Sequence, residues 1–162
     1  MKHILFSIAL LAIISCSSTN NQEDNANQLS SLLESYSSEY YELNPLQATS
    51  NGINDYNDQL AINIGKAYII ASVALNDKYL DALSELDYEK LTSSEQLSVD
   101  ILNYRMNIEN EMFKASIGVN RPVDQFVFSF PQNFATLASG ASYIPFNNDE
   151  DYRNFISRME VF

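Results

Sequence analysis

The stretch IGKAYIIASVALNDKYLDALSEL, residues 64–86, decides the fold of this chain. Apolar side chains recur in it every three or four residues, which predicts one helix of roughly six turns. Further apolar positions widen the stripe, so we expect more than half of the helix surface to be buried. The stripe comprises Ile64, Tyr68, Ala71, Leu75, Tyr79, Ala82 and Leu86, and is widened by Ile69, Val73, Leu80 and Leu83.

Two flanking stretches have the same period and predict helices on either side of residues 64–86. The first places Leu29, Leu32, Leu33, Tyr36, Tyr40 and Leu43 on one face. The second begins at Thr92-Ser-Ser-Glu95, whose spacing fits a capping box. Its predicted buried face is Leu97, Ile101, Tyr104, Ile108 and Met112.

The C-terminal third combines an aromatic segment with two shorter helices. The segment around residues 122–133 contains Phe126, Phe128 and Phe130 between prolines, and is predicted to be irregular. A short helix is expected over 134–141, ended by Gly140. A last helix should start near Asn148, with Tyr152, Phe155, Ile156 and Met159 on one side.

These patterns predict an all-α, multi-helix fold over residues 29–162. About 134 residues suit one domain, and only four glycines and four prolines interrupt the whole chain. The last apolar stripe continues to Val161 and Phe162 with no cap, which leads us to expect a domain truncated at its C-terminus.

The N-terminus has the pattern of a bacterial lipoprotein. Lys2 precedes an apolar run from Ile4 to Ile14, which is too short to span a bilayer core of about 30 Å. The junction Ile13-Ile14-Ser15-Cys16 resembles a lipobox, with isoleucine where leucine is usual. We therefore predict a signal peptide over 1–15, lipid attachment at Cys16, and a lipidated, polar tether over 16–28. The alternatives are an ordinary signal peptide with an incidental cysteine and an uncleaved anchor.

Composition limits the partners that the chain can have. The formal net charge is −12, which argues against nucleic acid, because affinity for phosphate comes mainly from Lys and Arg. We expect the protein to associate with a membrane through its N-terminal lipid. The expected location is the cell envelope, and Ser17 favours the outer membrane if the organism has one.

The sequence predicts no catalytic, metal-binding or cofactor-binding residue. The only histidine, His3, lies in the predicted signal peptide, which excludes histidine-dependent triads and zinc sites from residues 16–162. Two acidic loops, residues 54–58 and 147–151, are better explained as turn and helix-cap residues than as calcium ligands. Glu85, Asp87 and Glu89 are expected on a solvated surface.

Two kinds of side chain are candidates for ligand-binding groups. Tyr40 and Tyr41, together with the phenylalanines of 126–130, could line a peptide or sugar groove, although aromatic residues at helical spacing are more often core. Arg105 and Arg158 lie near apolar faces. An ion pair with a helix neighbour is the favoured role for each, over a substrate clamp.

Several segments resemble the bacterial domain-of-unknown-function family 885 (DUF885), whose members are often predicted lipoproteins. They are Asn44-Pro-Leu-Gln-Ala-Thr49 with Gly52 and Tyr56-Asn-Asp58; Leu91 with Gln96-Leu-Ser-Val-Asp-Ile-Leu102; and Phe130-Pro-Gln132 with Phe134, Leu137, Gly140, Pro145-Phe146, Asp151-Tyr152 and Arg158. The resemblance covers about residues 29–162.

The resemblance implies a longer, mainly helical protein similar to zinc metallopeptidases. The family's His-Glu zinc motif lies C-terminal to the segments above, so the resemblance assigns no zinc ligand to any residue of this sequence. Zinc and a peptide substrate are expected only for a full-length protein. The first hypothesis is therefore the N-terminal helical segment of a peptidase-like cell-envelope lipoprotein. The alternative is a stand-alone helical surface lipoprotein that binds glycans or peptides.

Overall fold

The computed structural model describes residues 2–115 and 130–162, and side chains from residue 23 onward. Within these residues the protein is all-α, as predicted, with no strand. The helices are α1 (Lys2–Leu43), α2 (Pro45–Ser50), α3 (Lys66–Ser84), α4 (Ser93–Lys114), α5 (Phe130–Leu137) and α6 (Asp149–Val161), with a 3-10 turn at Tyr88–Lys90 before α4.

Helix α1 continues through the residues for which the sequence predicted a polar tether. It is a single helix of 42 residues. Asn25 is buried, donates a hydrogen bond to the carbonyl of Asp87 at 2.8 Å, and accepts one from the amide of Asp87. These two hydrogen bonds hold Asn25 against Asp87, because an asparagine side chain can satisfy both polar groups of a backbone unit at once. The polar tether over residues 16–28 as a whole stays a prediction.

Helices α1, α3 and α4 pack together around the larger apolar core. Most contacts between helices are those of α3 with α4 and with α1. The predicted face of α1 is confirmed, since Leu29 and Tyr36 are buried and Leu32, Leu33, Tyr40 and Leu43 pack against the core. The buried stripe is narrower than predicted, because Ala71 of α3 is exposed and so is Ile64, which precedes the helix. The buried residues of α3 are Ser72, Leu75, Asn76, Tyr79 and Leu83.

Helix α4 begins as predicted and buries a different face. Thr92 and Glu95 form the capping box, with the Thr92 amide donating to the Glu95 carboxylate at 2.7 Å. The prediction of the buried face is wrong: Leu97, Ile101, Tyr104, Ile108 and Met112 are all exposed, Tyr104 by 71%. The side chains buried instead are Val99, Leu102, Met106 and Asn110.

Polar side chains explain part of this choice of face. Asn76 of α3 donates to the Asn110 Oδ1 at 3.1 Å and to the Glu109 carboxylate at 3.0 Å. Asn110 in turn donates to the Asp77 carboxylate at 2.8 Å. Buried amides need such partners, so the α3–α4 interface uses the α4 face that carries Asn110.

A second, smaller core joins α5 and α6. Its buried residues are Phe134, Ile144 and Phe155, and the rings of Phe134 and Phe155 stack at 5.3 Å. The last helix begins after Asn148 as predicted, whereas the short helix lies at 130–137 rather than 134–141. Gly140 has a φ of +72°, consistent with a chain reversal after the helix. Residues 122–129 of the predicted irregular segment lie outside the described residues, and 130–133 are helical.

Candidate functional site: a tyrosine- and arginine-lined pocket

The predicted lipid-attachment residue, Cys16, lies within helix α1. Its side chain is outside the described part of the chain, so lipidation of Cys16 stays a prediction. None of the helices described is both long and apolar enough to cross a membrane.

The two acidic loops form a turn and a helix cap where the sequence predicted them, through asparagine side chains. Asn148 accepts hydrogen bonds from the amides of Glu150 and Asp151 at the start of α6, so the capping role of residues 147–151 is confirmed. In the loop 54–58, Asn57 is buried and accepts from the Thr49 hydroxyl at 2.7 Å. Among the side chains that the structure describes, those of residues 23–115 and 130–162, no three His, Cys, Asp or Glu groups are close enough together to hold a metal ion. The residues described here therefore do not fit a zinc centre.

Arg158 has a different role from the predicted ion pair. Its side chain is fully buried (0% exposed). The Nε donates to the carbonyl of Gln59 at 2.9 Å, and Nη2 donates to the Thr49 hydroxyl at 2.7 Å and to the carbonyl of Tyr56 at 3.1 Å. Burial lowers the pKa of Arg158, and the nearby Tyr143 and Asp58 oppose that shift. Arg158 thus fastens α6 to α2 and the following loop, and is a structural residue.

A pocket of about 390 Å³ opens where α1, α2 and α4 meet. We call it the tyrosine pocket. Its volume lies within the range of small-molecule sites. Three aromatic rings, three short polar side chains and one guanidinium line it: Tyr36, Tyr40, Tyr41, Ser37, Gln47, Asn51 and Arg105.

The rings on α1 are arranged by the helical repeat. Residues four apart lie on one face, and Tyr36 and Tyr40 stack with centroids 5.7 Å apart. Tyr40 also meets the ring of Tyr41 edge to face at 5.7 Å. The Tyr41 hydroxyl accepts a hydrogen bond of 2.9 Å from the Asn51 amide, which joins α1 to the end of α2. The predicted role of Tyr40 and Tyr41 as core residues is therefore incomplete, because both also face the pocket.

Arg105 lies over one of these rings. Its guanidinium carbon is 4.5 Å from the centroid of Tyr40, within the range of a cation–π contact. No carboxylate among the described residues lies within 4 Å of it, so the predicted ion pair is not formed there. Partial burial lowers the pKa of Arg105, but Tyr36 and Tyr40 raise it by more, and the net shift is upward.

The Tyr36 hydroxyl is the most unusual polar group of the pocket. Tyr36 is only 6% exposed, and its hydroxyl oxygen has no hydrogen-bond partner among the described residues. Burial raises its pKa, and the nearby Arg105 charge partly opposes that shift. An unsatisfied buried hydroxyl costs about 1–3 kcal/mol. The hydroxyl oxygen itself is buried, so Tyr36 contributes its ring rather than its hydroxyl to the pocket wall.

The arrangement defines a helical protein with a small polar-aromatic pocket and, among the described side chains, no cluster of groups that could hold a metal ion. The family model described as "Bacterial protein of unknown function (DUF885)" matches residues 45–162. The chain therefore belongs to the DUF885 family. No curated protein and no solved structure matches the chain.

Proposed function

We propose that this protein is a lipid-anchored component of the bacterial cell envelope. On this proposal its residues 29–162 are the non-catalytic helical part of a zinc-peptidase-like protein. The observation that supports the anchor is the apolar run from Ile4 to Ile14 followed by Ser15 and Cys16, the only cysteine. For the second half of the proposal, the family match over residues 45–162 supports membership of DUF885, and the peptidase-like role rests on the resemblance described for that family.

The anchor is tested by replacing the one cysteine. In a bacterial host fed a labelled fatty acid, we expect the wild type to take up label and to sediment with membranes. Cys16→Ser should take up no label and should either leave the membrane fraction or accumulate as unprocessed precursor. Ser17→Ala is the matched control and should behave as the wild type. Label incorporated by Cys16→Ser would refute the anchor.

The non-catalytic role of residues 29–162 is tested separately by metal content and hydrolysis. Zinc sites draw on imidazole or thiolate ligands, and the only histidine is His3. The purified 162-residue chain should hold far less than one equivalent of zinc after dialysis against a weak chelator, and should hydrolyse no peptide. One retained equivalent of zinc, or hydrolysis that a chelator stops, would contradict this assignment.

The tyrosine pocket favours a second candidate function, a surface lipoprotein that binds a small ligand without transforming it. The supporting observation is Arg105, which lies against Tyr40 and forms no ion pair within the described residues. Ligand binding with no hydrolysis by any product of the gene would favour this second function. Binding together with hydrolysis by a product that carries the family's His-Glu motif would favour the first.

A further inference from the structure

The tyrosine pocket combines a cation with aromatic faces in a strongly acidic protein. The chain has 21 acidic residues and a formal net charge of −12. Of the described residues that line the pocket, none is an aspartate or glutamate, and Arg105 is the one with a charge. The carboxylate of Glu109, one turn further along α4, accepts a hydrogen bond from Asn76 of α3. Within the described part of the chain, the guanidinium is therefore the one charged group in the pocket lining that a ligand would meet.

The guanidinium of Arg105 lies beside an aromatic ring and carries donors that suit a planar anion. Its central carbon is 4.5 Å from the centroid of the Tyr40 ring. The group has five N–H donors in one plane, and none of them pairs with a carboxylate among the described residues. Arginine donors in such a fork bind a carboxylate through two parallel hydrogen bonds.

The overall charge selects among anions. Repulsion from the acidic protein grows with the charge of the ligand, so a monoanion is tolerated better than a phosphate dianion. A phosphate site also commonly uses several backbone amides at a helix N-terminus or a glycine-rich loop. The lining of the tyrosine pocket consists instead of one arginine, the amides of Gln47 and Asn51, and tyrosine rings.

We propose that the tyrosine pocket binds a monocarboxylate with an aromatic or apolar body. The carboxylate pairs with Arg105, and the body lies against Tyr40 and Tyr41. Such a group occurs in two sources, a free aromatic acid and the C-terminus of a peptide that ends in an aromatic residue. The proposal goes beyond the lipid anchor and the peptidase-like assignment and depends on neither.

The test uses the purified full chain and N-acetyl-phenylalanine as the probe. Isothermal titration should detect binding of the acid, and N-acetyl-phenylalanine amide, which lacks only the charge, should bind at least about tenfold more weakly. In the NMR spectrum, the side-chain NH₂ signals of Gln47 and Asn51 should shift on addition of the acid. No heat and no shift with the acid at millimolar concentration, or equal affinity for acid and amide, would overturn the proposal.

Substitutions of Arg105 test whether this residue binds the carboxylate. Arg105→Gln should lower the affinity for the acid about tenfold or more and leave the weak affinity for the amide unchanged. Arg105→Lys should also bind more weakly than the wild type, because lysine keeps the charge and loses the planar fork. Arg153→Gln, at an exposed arginine of α6 outside the pocket, is the matched control. Unchanged affinity in Arg105→Gln, or an equal loss in Arg153→Gln, would refute the assignment.

A final comparison separates the two sources. N-acetyl-Ala-Ala-Phe should bind more tightly than N-acetyl-phenylalanine if the ligand is a peptide end, because the added residues reach the rim formed by Gln47 and Asn51. Equal affinities would identify a free acid as the ligand. Weaker binding of both than of inorganic phosphate would overturn the choice of a carboxylate.

Discussion

Replacement of Arg158 by methionine tests the strongest structural inference, that one buried guanidinium fastens α6 to the rest of the fold. The substitution keeps a flexible unbranched side chain of similar reach and removes the charged group. It leaves the carbonyls of Gln59 and Tyr56 without the donors that now lie at 2.9 and 3.1 Å, and removes the 2.7 Å donor to Thr49.

The magnitude follows from two opposing contributions. Hydrogen bonds to a charged group contribute about 1.5–3 kcal/mol each, and Arg158 donates three. Against this, a fully buried ion carries a desolvation cost of several kcal/mol, which the substitution relieves. The three lost hydrogen bonds together exceed the desolvation cost, and relief of that cost offsets part of the loss. We therefore expect the free energy of unfolding to fall by about 2–4 kcal/mol, a large share of the 5–15 kcal/mol typical of a domain.

Urea unfolding followed by circular dichroism measures the effect. The midpoint should fall in Arg158→Met while the slope with denaturant stays unchanged. Arg158→Lys should be destabilised as well, because it retains a buried charge and has fewer directed donors. Arg153→Met, on the exposed side of the same helix, should change stability by less than about 0.5 kcal/mol. A loss below about 0.5 kcal/mol in Arg158→Met, or an equal loss in Arg153→Met, would refute the role of Arg158.

Three further changes test other parts of the structure. Thr92→Ala removes the capping-box hydroxyl and should lower the unfolding free energy by about 1 kcal/mol in urea titration; no loss would contradict the cap. Met106→Ala at a fully buried position should cost about 2–5 kcal/mol, whereas Met112→Ala on the exposed face should cost less than about 0.5 kcal/mol; equal costs would mean that the buried face is misassigned. Hydrogen bonds from Lys78 and then Tyr79 lower the pKa of Glu39, so its contribution to stability is present above its unfolded pKa and is lost as pH falls through the lower folded pKa; Glu39→Gln should flatten the acid limb of stability against pH, and an unchanged limb would refute the contribution.

The helices could be predicted from the sequence because their local patterns are strong. The stripe from Leu29 to Leu43 has one apolar side, and the structure buries that side. The caps at Thr92 and Asn148 were also predictable, since a short oxygen-bearing side chain just before a helix satisfies exposed amide donors locally. Both caps are formed as expected.

Contacts between distant residues could not be predicted in this way. Asn25 lies in a polar stretch, and only its pairing with Asp87, 62 positions away, shows that this residue is held in place. Arg158 similarly meets Thr49, Tyr56 and Gln59 across about 100 positions. For Arg105 and Arg158, the sequence favours an ion pair with a helix neighbour. The signal that was missed is that a buried arginine can be satisfied by carbonyl and hydroxyl oxygens, and that Arg105 can lie on a ring.

The error over α4 follows from how helices choose their buried side. Its sequence carries two competing stripes, and the one richer in large apolar side chains, from Leu97 to Met112, is exposed. The other stripe is buried with Asn110 in it, because Asn76 and Asp77 of α3 supply partners for that amide. When α4 is considered alone, Asn110 disfavours burial of the face that carries it. In the folded protein, its hydrogen bonds to α3 make Asn110 a specific contact that fixes the register of the two helices. The same choice of face places Arg105, the residue before Met106, at the edge of α4 that borders α1. The polar α3–α4 interface is thus what orients the guanidinium over Tyr40, and the tyrosine pocket depends on it.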